Sequence, residues 1–238
     1  ERELARKWLY QIERKALELR RALQTPPPCL GEVPCILALH ETDLELAQSN
    51  ARGAEAELRA FASELTAWLE EQGVKADVYD GTEIEPTDRS MEDAAEYART
   101  KEFDALIAVG GGSVIDTCKA ANLYATYPAD FLDYVNAPIG AGKPVPGALK
   151  PHIACPTTCG TGSETTGITI VDLKSVGLKT GIASPLLKPS LAIVDPTTTE
   201  TLPGGVVAAS GFDVLTHAVE SYTARPYTSR PRPDHPSQ

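Results

Sequence analysis

The sequence is poor in the features that mark membrane-spanning, disulfide-stapled or nucleic-acid-binding chains. No run approaches the roughly 18 consecutive apolar residues that a spanning helix needs. Basic residues are in deficit, 22 Lys and Arg against 33 Asp and Glu, a formal charge of -11. That balance speaks against nucleic acid or an anionic membrane as partner and leaves a small molecule as the expected one. The five cysteines are an odd number and include no C-x-x-C pair. A disulfide framework and structural zinc are therefore not expected, and the compartment should be intracellular and reducing, cytoplasm or mitochondrial matrix. Methionine is reduced to Met91 and the chain opens on Glu1, so a translation start is expected upstream. Glu1, Glu3, Glu13 and Glu18 interrupt the basic opening stretch, which reads poorly as a transit peptide, and no apolar signal core follows. No internal repeat is found.

What is present is an ordinary globular composition, 42% hydrophobic and 23% charged over 238 residues, enough to bury a substantial core. Leu4, Trp8, Ile12, Ala16, Leu19 and Leu23 form one helical stripe, stopped by Pro26-Pro27-Pro28. This segment packs on its own domain or docks a partner. Beyond it the pattern alternates. Strands are expected near 35–39, 74–79, 105–109, 152–155 and 191–194, and helices at 54–72, 90–100, 114–125 and 212–223. A hairpin is expected within 166–183, and 130–150 reads as loop. Strands separated by helices predict an α/β fold with a parallel sheet, whose site lies beyond the carboxyl ends of the strands. The expected domains are 1–33, an amphipathic helix and linker; 34–205, a nucleotide-binding α/β domain; and 206–238, the start of a helical catalytic domain.

Three stretches carry chemistry. Gly110-Gly111-Gly112-Ser113 follows a buried strand and opens a helix, the arrangement that brings backbone N–H groups and a helix dipole to a pyrophosphate. It is not G-x-G-x-x-G, and a bare strand-to-helix turn is the alternative. A second loop, Pro156 to Glu164, offers hydroxyls at Thr157, Thr158, Thr161 and Ser163 beside Gly160 and Gly162, suited to phosphate or ribose. Cys159 within it has no local histidine motif and reads as a thiol without a role. Finally, Asp213 and His217 stand at i and i+4, so a carboxylate and an imidazole share one helical face and can take one divalent metal. A solvated pair on the helix surface is the alternative.

The stretches D-A-L-I-A-V-G-G-G-S-V-I-D-T-C-K-A-A-N-L-Y-A (104–125), P-T-T-C-G-T-G-S-E-T-T-G (156–167) and G-F-D-V-L-T-H-A-V-E-S-Y-T (211–223) resemble the iron-containing alcohol dehydrogenase family. Y-D-G-T-E-I-E-P-T-D (79–88) and D-F-L-D-Y-V-N-A-P-I-G-A-G-K-P-V (130–145) are similar to its transhydrogenase branch, which oxidises 4-hydroxybutyrate while reducing 2-oxoglutarate to 2-hydroxyglutarate. The resemblance implies a dehydroquinate synthase-like nucleotide-binding domain followed by the beginning of an all-α metal-binding domain. It also implies an oxidoreductase using NAD(H), with NADP left open, and Fe2+ or Zn2+, and compatible with a homo-oligomer. Gly111, Gly112 and Ser113 match the family's pyrophosphate turn. Asp116 matches an aspartate near nicotinamide and substrate, with a catalytic and cofactor-binding role. Thr157, Thr158, Thr161 and Ser163 match its second nucleotide loop, Lys179 a lysine that approaches the ribose, and Asp213 and His217 the first two metal ligands.

Two features depart from the family. Its metal site takes two further histidines from a helical domain downstream, whereas this chain ends 21 residues after His217 with only the proline-flanked His235 between. His40 and His152 read as ordinary loop or strand residues. The family's opening strands are not recognisable in 1–33, and its nucleotide-selecting Thr-Asp has only Thr42-Asp43 as a counterpart, a lean towards NAD. The resemblance therefore implies a chain truncated at both ends and inactive alone. The alternatives are a non-catalytic nucleotide-binding product and another iron-type alcohol or glycerol dehydrogenase.

Overall fold

The computed structural model describes residues 35–40 (backbone), 63–200, 202–226 and 229. The chain divides between Val33 and Pro34, and every described residue lies in the second unit. The helix expected at 1–23, Thr42-Asp43, the first half of the helix at 54–72 and His235 lie outside the described residues.

Strands β1 (Cys35–His40), β2 (Ala76–Thr82), β3 (Ala105–Gly110), β4 (His152–Pro156) and β7 (Leu191–Ala192) form one sheet in the order β2-β1-β3-β4-β7. All of its pairings are parallel, as the alternating pattern predicted. The apolar run Ala-Leu-Ile-Ala-Val of β3 suits a strand with neighbours on both sides. Strands β5 (Ile168–Leu173) and β6 (Leu178–Ala183) make the expected antiparallel hairpin outside that sheet.

Helix α1 (Asp88–Lys101) starts at a reciprocal cap. Thr87 Oγ1 accepts from Ser90 N at 3.1 Å, and Ser90 Oγ accepts from Thr87 N at 2.9 Å. Asp88 in its first turn and Arg99 and Lys101 in its last complement the helix dipole. Helix α2 (Gly112–Thr126) buries every residue from Val114 to Tyr124, so it is the central helix among the described residues. One apolar cluster joins its Val114, Ile115, Cys118 and Ala121 to Leu106 and Ala108 of β3 and Ala154 of β4. A second joins Leu123 and Tyr124 to Met91 of α1 and to Val171, Leu173 and Ile182 of the hairpin. The hairpin is thus held by the central helix rather than by the sheet.

Three local expectations change. Within 130–150 a single helical turn forms at Phe131–Tyr134, where Tyr124 donates to the Phe131 carbonyl at 2.5 Å. Strand β7 is only two residues long because Pro196 and the Asp195 cap turn the chain into a 3-10 helix. Helix α3 runs from Gly204 to Thr223 rather than from 212. Glycine is a poor helix former, but Pro203 sets the entry and Gly204 and Gly205 fall in the first turn, where N–H groups have no intrahelical acceptor.

Candidate functional site

Three loops lie at the carboxyl ends of strands of the one parallel sheet: 83–87 after β2, the glycine turn after β3, and 157–163 after β4, with β3 and β4 adjacent and β1 between β2 and β3. The latter two are joined directly. Gly110 and Pro156 are register partners, and Thr157 N donates to the Gly110 carbonyl at 3.0 Å. A Cβ on Gly111, the N-cap of α2, would stand 3.2 Å from Thr158 Oγ1, and one on Gly112 would stand 2.8 Å from Thr161 Cγ2. The glycines therefore serve close approach of two loops. No side chain caps the start of α2, so its first-turn N–H groups and dipole remain directed at the space beyond the strand ends.

Ser113, at the start of α2, accepts through Oγ from Glu85 N at 3.4 Å. Lys179 of β6 donates to Glu85 Oε1 at 2.5 Å, so Ser113 and Lys179 are linked through the 83–87 loop. Both members of that ion pair are more than half exposed.

Asp116 and Ser163 turn inward. The Asp116 carboxylate, expected beside nicotinamide and substrate, is 9% exposed and has both oxygens engaged. Oδ1 accepts from Ser163 Oγ, and Oδ2 accepts from Ile170 N at 3.0 Å. Thr157, Thr158 and Thr161 retain partial or full exposure, whereas Ser163 is 5% exposed and its hydroxyl is taken. Lys119 completes this cluster. Its ammonium lies 3.6 Å from Asp116 Oδ1 and donates to Ser163 Oγ at 2.9 Å, Thr166 Oγ1 at 3.4 Å and the Ile168 carbonyl at 2.6 Å. Burial pushes Asp116 up and Lys119 down, each towards its neutral form, and their mutual attraction opposes both shifts. Sequence reasoning passed over Lys119. Its signal was a lysine three residues after Asp116, set among Val114, Ile115, Cys118, Ala120, Ala121 and Leu123, where a cation has to find a partner.

Asp213 and His217 share one face of α3, as their spacing predicted, and that face meets Gly160. His217 Nδ1 lies 3.2 Å from the Gly160 carbonyl, and a Cβ on Gly160, at φ +152, would come 2.8 Å from the Ser210 carbonyl. With Nδ1–H donating to that carbonyl, the Nε2 lone pair is left free, 3.8 Å from Asp213 Oδ1. One divalent ion with bonds of about 2.1 Å spans such a gap, and a backbone carbonyl behind the ring is the usual support of a metal-binding imidazole. The donor set therefore fits a metal. Among the described residues no third His, Cys, Asp or Glu joins these two. Cys159 is exposed, and Cys118 is buried with its thiol pushed well above the ordinary range.

The family model for iron-containing alcohol dehydrogenase matches residues 53–196. Mitochondrial hydroxyacid-oxoacid transhydrogenase of Mus musculus is 60% identical over 172 residues, 71% of this chain and 37% of that protein. The chain thus spans little more than a third of that curated relative. Among solved structures, an iron containing alcohol dehydrogenase from Thermococcus thioreducens superposes with a TM-score of 0.67 at 31% identity, covering 82% of this chain and 50% of that one. Sulfoacetaldehyde reductase from Bifidobacterium kashiwanohense, solved in complex with NAD+, gives 0.66 at 27% identity, covering 89% and 51%.

Proposed function

This chain belongs to the iron-containing alcohol dehydrogenase family, and on that premise we propose that it serves hydroxyacid–oxoacid transhydrogenation. In that reaction 4-hydroxybutyrate is oxidised to succinate semialdehyde and 2-oxoglutarate is reduced to 2-hydroxyglutarate. The observation that carries the reading is the contact of the two glycine loops at adjacent strand ends, Gly111 against Thr158 and Gly112 against Thr161, beneath an uncapped helix start. Likeness to the transhydrogenase of Mus musculus supports the substrate class, and the NAD+ complex of the reductase supports NAD(H) rather than NADP. The mitochondrial assignment of that relative supports a mitochondrial matrix location.

In this reading the N–H groups of Gly112 and Ser113 hold the pyrophosphate, and Thr157, Thr158 and Thr161 direct hydroxyls at phosphate and ribose. Lys179 exchanges its Glu85 partner for the nucleotide. Asp116 and Ser163 hold the two loops from behind. Asp213 and His217 would hold the divalent metal, iron in keeping with the family description, with Gly160 fixing the imidazole tautomer. When bound, the nicotinamide carries the hydride and the metal polarises the alcohol or carbonyl oxygen. We place 34–205 as the nucleotide-binding domain and 206–238 as the beginning of the metal-binding one.

A second reading, nucleotide binding without catalysis, is favoured by the two-membered donor set among the described residues. Calorimetric titration with NAD+, together with mass-spectrometric detection of 2-hydroxyglutarate formed from 4-hydroxybutyrate and 2-oxoglutarate, decides between them. Binding with product formation supports transhydrogenation, binding without product even with Fe2+ added supports the second reading for this chain, and failure to bind NAD+ defeats both.

A further inference from the structure

Lys119 is the largest fully buried side chain among the described residues, and the reaction scheme gives it no task. Its ammonium has three protons, and three acceptors surround it: Ser163 Oγ at 2.9 Å, Thr166 Oγ1 at 3.4 Å and the Ile168 carbonyl at 2.6 Å. The three belong to one continuous stretch of chain, the exit from the second glycine loop and the start of β5. The entry to that loop is fixed separately, by the Gly110–Pro156 register and the bond from Thr157 N to Gly110 O at 3.0 Å. Both anchors belong to one β3–turn–α2 unit, whose other product is the Gly111 and Gly112 turn.

We propose that Lys119 is a positioning residue that holds the exit of the 157–163 loop, and so sets how closely its threonines approach the Gly111–Gly112 turn. The inference rests on the nucleotide-binding reading above. A charge buried this completely is stabilising only when its geometry is fully satisfied, and a lysine serving solely to neutralise Asp116 would not need these three further acceptors. The tolerance of the site is small. Between Gly112 and Thr161 there is no room for an added Cβ without displacing a neighbour, so a shift of the loop by part of an ångström alters every hydroxyl offered to a phosphate. Ser163 transmits the constraint, accepting from Lys119 and donating to Asp116, while Thr169 Oγ1, donating to the Asp116 carbonyl at 2.9 Å, ties the following strand to the same helix turn.

The test is peptide-resolved hydrogen exchange combined with NAD+ titration on the 238-residue chain. Lys119→Met keeps the volume and removes the donors. Exchange across 157–168 should rise roughly tenfold or more over that of α1 and β3, with a loss of NAD+ affinity of at least similar size, as expected for lost charge-assisted hydrogen bonds. Thr166→Val removes a single acceptor and leaves Asp116, Lys119 and Ser163 in place. It should give a smaller rise confined to 163–168 and a smaller loss of affinity, and it decides the matter should Lys119→Met not fold. Exchange at 157–168 rising no more than in α1 would reduce Lys119 to a general stabiliser and overturn the proposal. So would local loosening with unchanged affinity. Absence of NAD+ binding by the unsubstituted chain would instead defeat the nucleotide reading, while the exchange measurement still decides whether Lys119 fixes the loop.

Discussion

Gly112 and Thr161 approach so closely that a Cβ on the glycine would lie 2.8 Å from the threonine Cγ2. Thr161 Oγ1 in turn accepts from Ser163 N at 3.2 Å, so a displaced Thr161 disturbs the loop rather than merely turning aside. Gly112→Ala is therefore expected to weaken NAD+ binding about tenfold. Stability should stay within about 1 kcal/mol of the parent, since the helix preference of alanine offsets part of the steric cost. Thermal melting and calorimetry on one preparation check both halves. A fall in melting temperature without loss of affinity would place this contact outside the binding site.

Lys179 and Glu85 form an ion pair with both partners mostly in water, a class worth roughly 0 to 1 kcal/mol. Lys179→Ala should leave the melting temperature nearly unchanged and raise the dissociation constant for NAD+ several-fold, more at low salt than at high salt. Equal effects on the parent and the variant across a salt series would show that Lys179 does not meet the nucleotide.

His152 lies 3% exposed on β4, and among the described residues neither ring nitrogen has a hydrogen-bond partner. Burial, aided by the nearby Lys119 cation, holds its ionisation down at about 3, against about 6.5 in an unfolded chain. Between those values the unfolded chain binds the extra proton, so this residue lowers stability as pH falls below about 6.5 and has no effect above it. His152→Leu should match or exceed the parent in urea unfolding at pH 7. At pH 5 it should gain about 2 kcal/mol relative to the parent. A pH-independent difference between the two proteins would refute the buried neutral imidazole.

Asp213 and His217 offer two ligands supported by the Gly160 carbonyl. A divalent ion held by two side chains leaves most of its coordination to water. We expect the 238-residue chain to lose Fe2+ or Zn2+ on dialysis, and His217→Ala to weaken the residual binding further. Elemental analysis after dialysis is the check. Stoichiometric retained metal would require a third protein ligand.

What could be read beforehand was whatever depends on local pattern. The buried run at 105–109, the glycine turn at 110–113 and the hairpin at 166–183 are written in short stretches whose periodicity and turn chemistry decide their shape. The convergence of Asp213 with His217 follows from helix geometry alone. The start of α3 at Gly204 was hidden because glycine counts as a breaker wherever it stands, although the first turn of a helix tolerates it. The inward turn of Asp116 and Ser163 was hidden for another reason. Both look like polar groups offered to a ligand until Lys119, Thr169 and Ile170 are brought beside them by packing. Hydroxyls and carboxylates declare a capacity for hydrogen bonding, and only the fold says who collects it.

The pairing of Gly110 with Pro156 in adjacent parallel strands constrains how such a protein can change over evolutionary time. The connection between those strands includes the long segment 127–151, part of which packs into the core through Phe131, Tyr134, Val135 and Val145, so length changes there are confined to its exposed positions. A single residue added within β3 or β4 is another matter. It would slide one strand past its neighbour by about 3.3 Å and reverse the faces of its side chains beyond that point, separating the two turns in one step. Length variation should therefore be tolerated only at exposed positions of that crossover and purged from two strands of six and five residues.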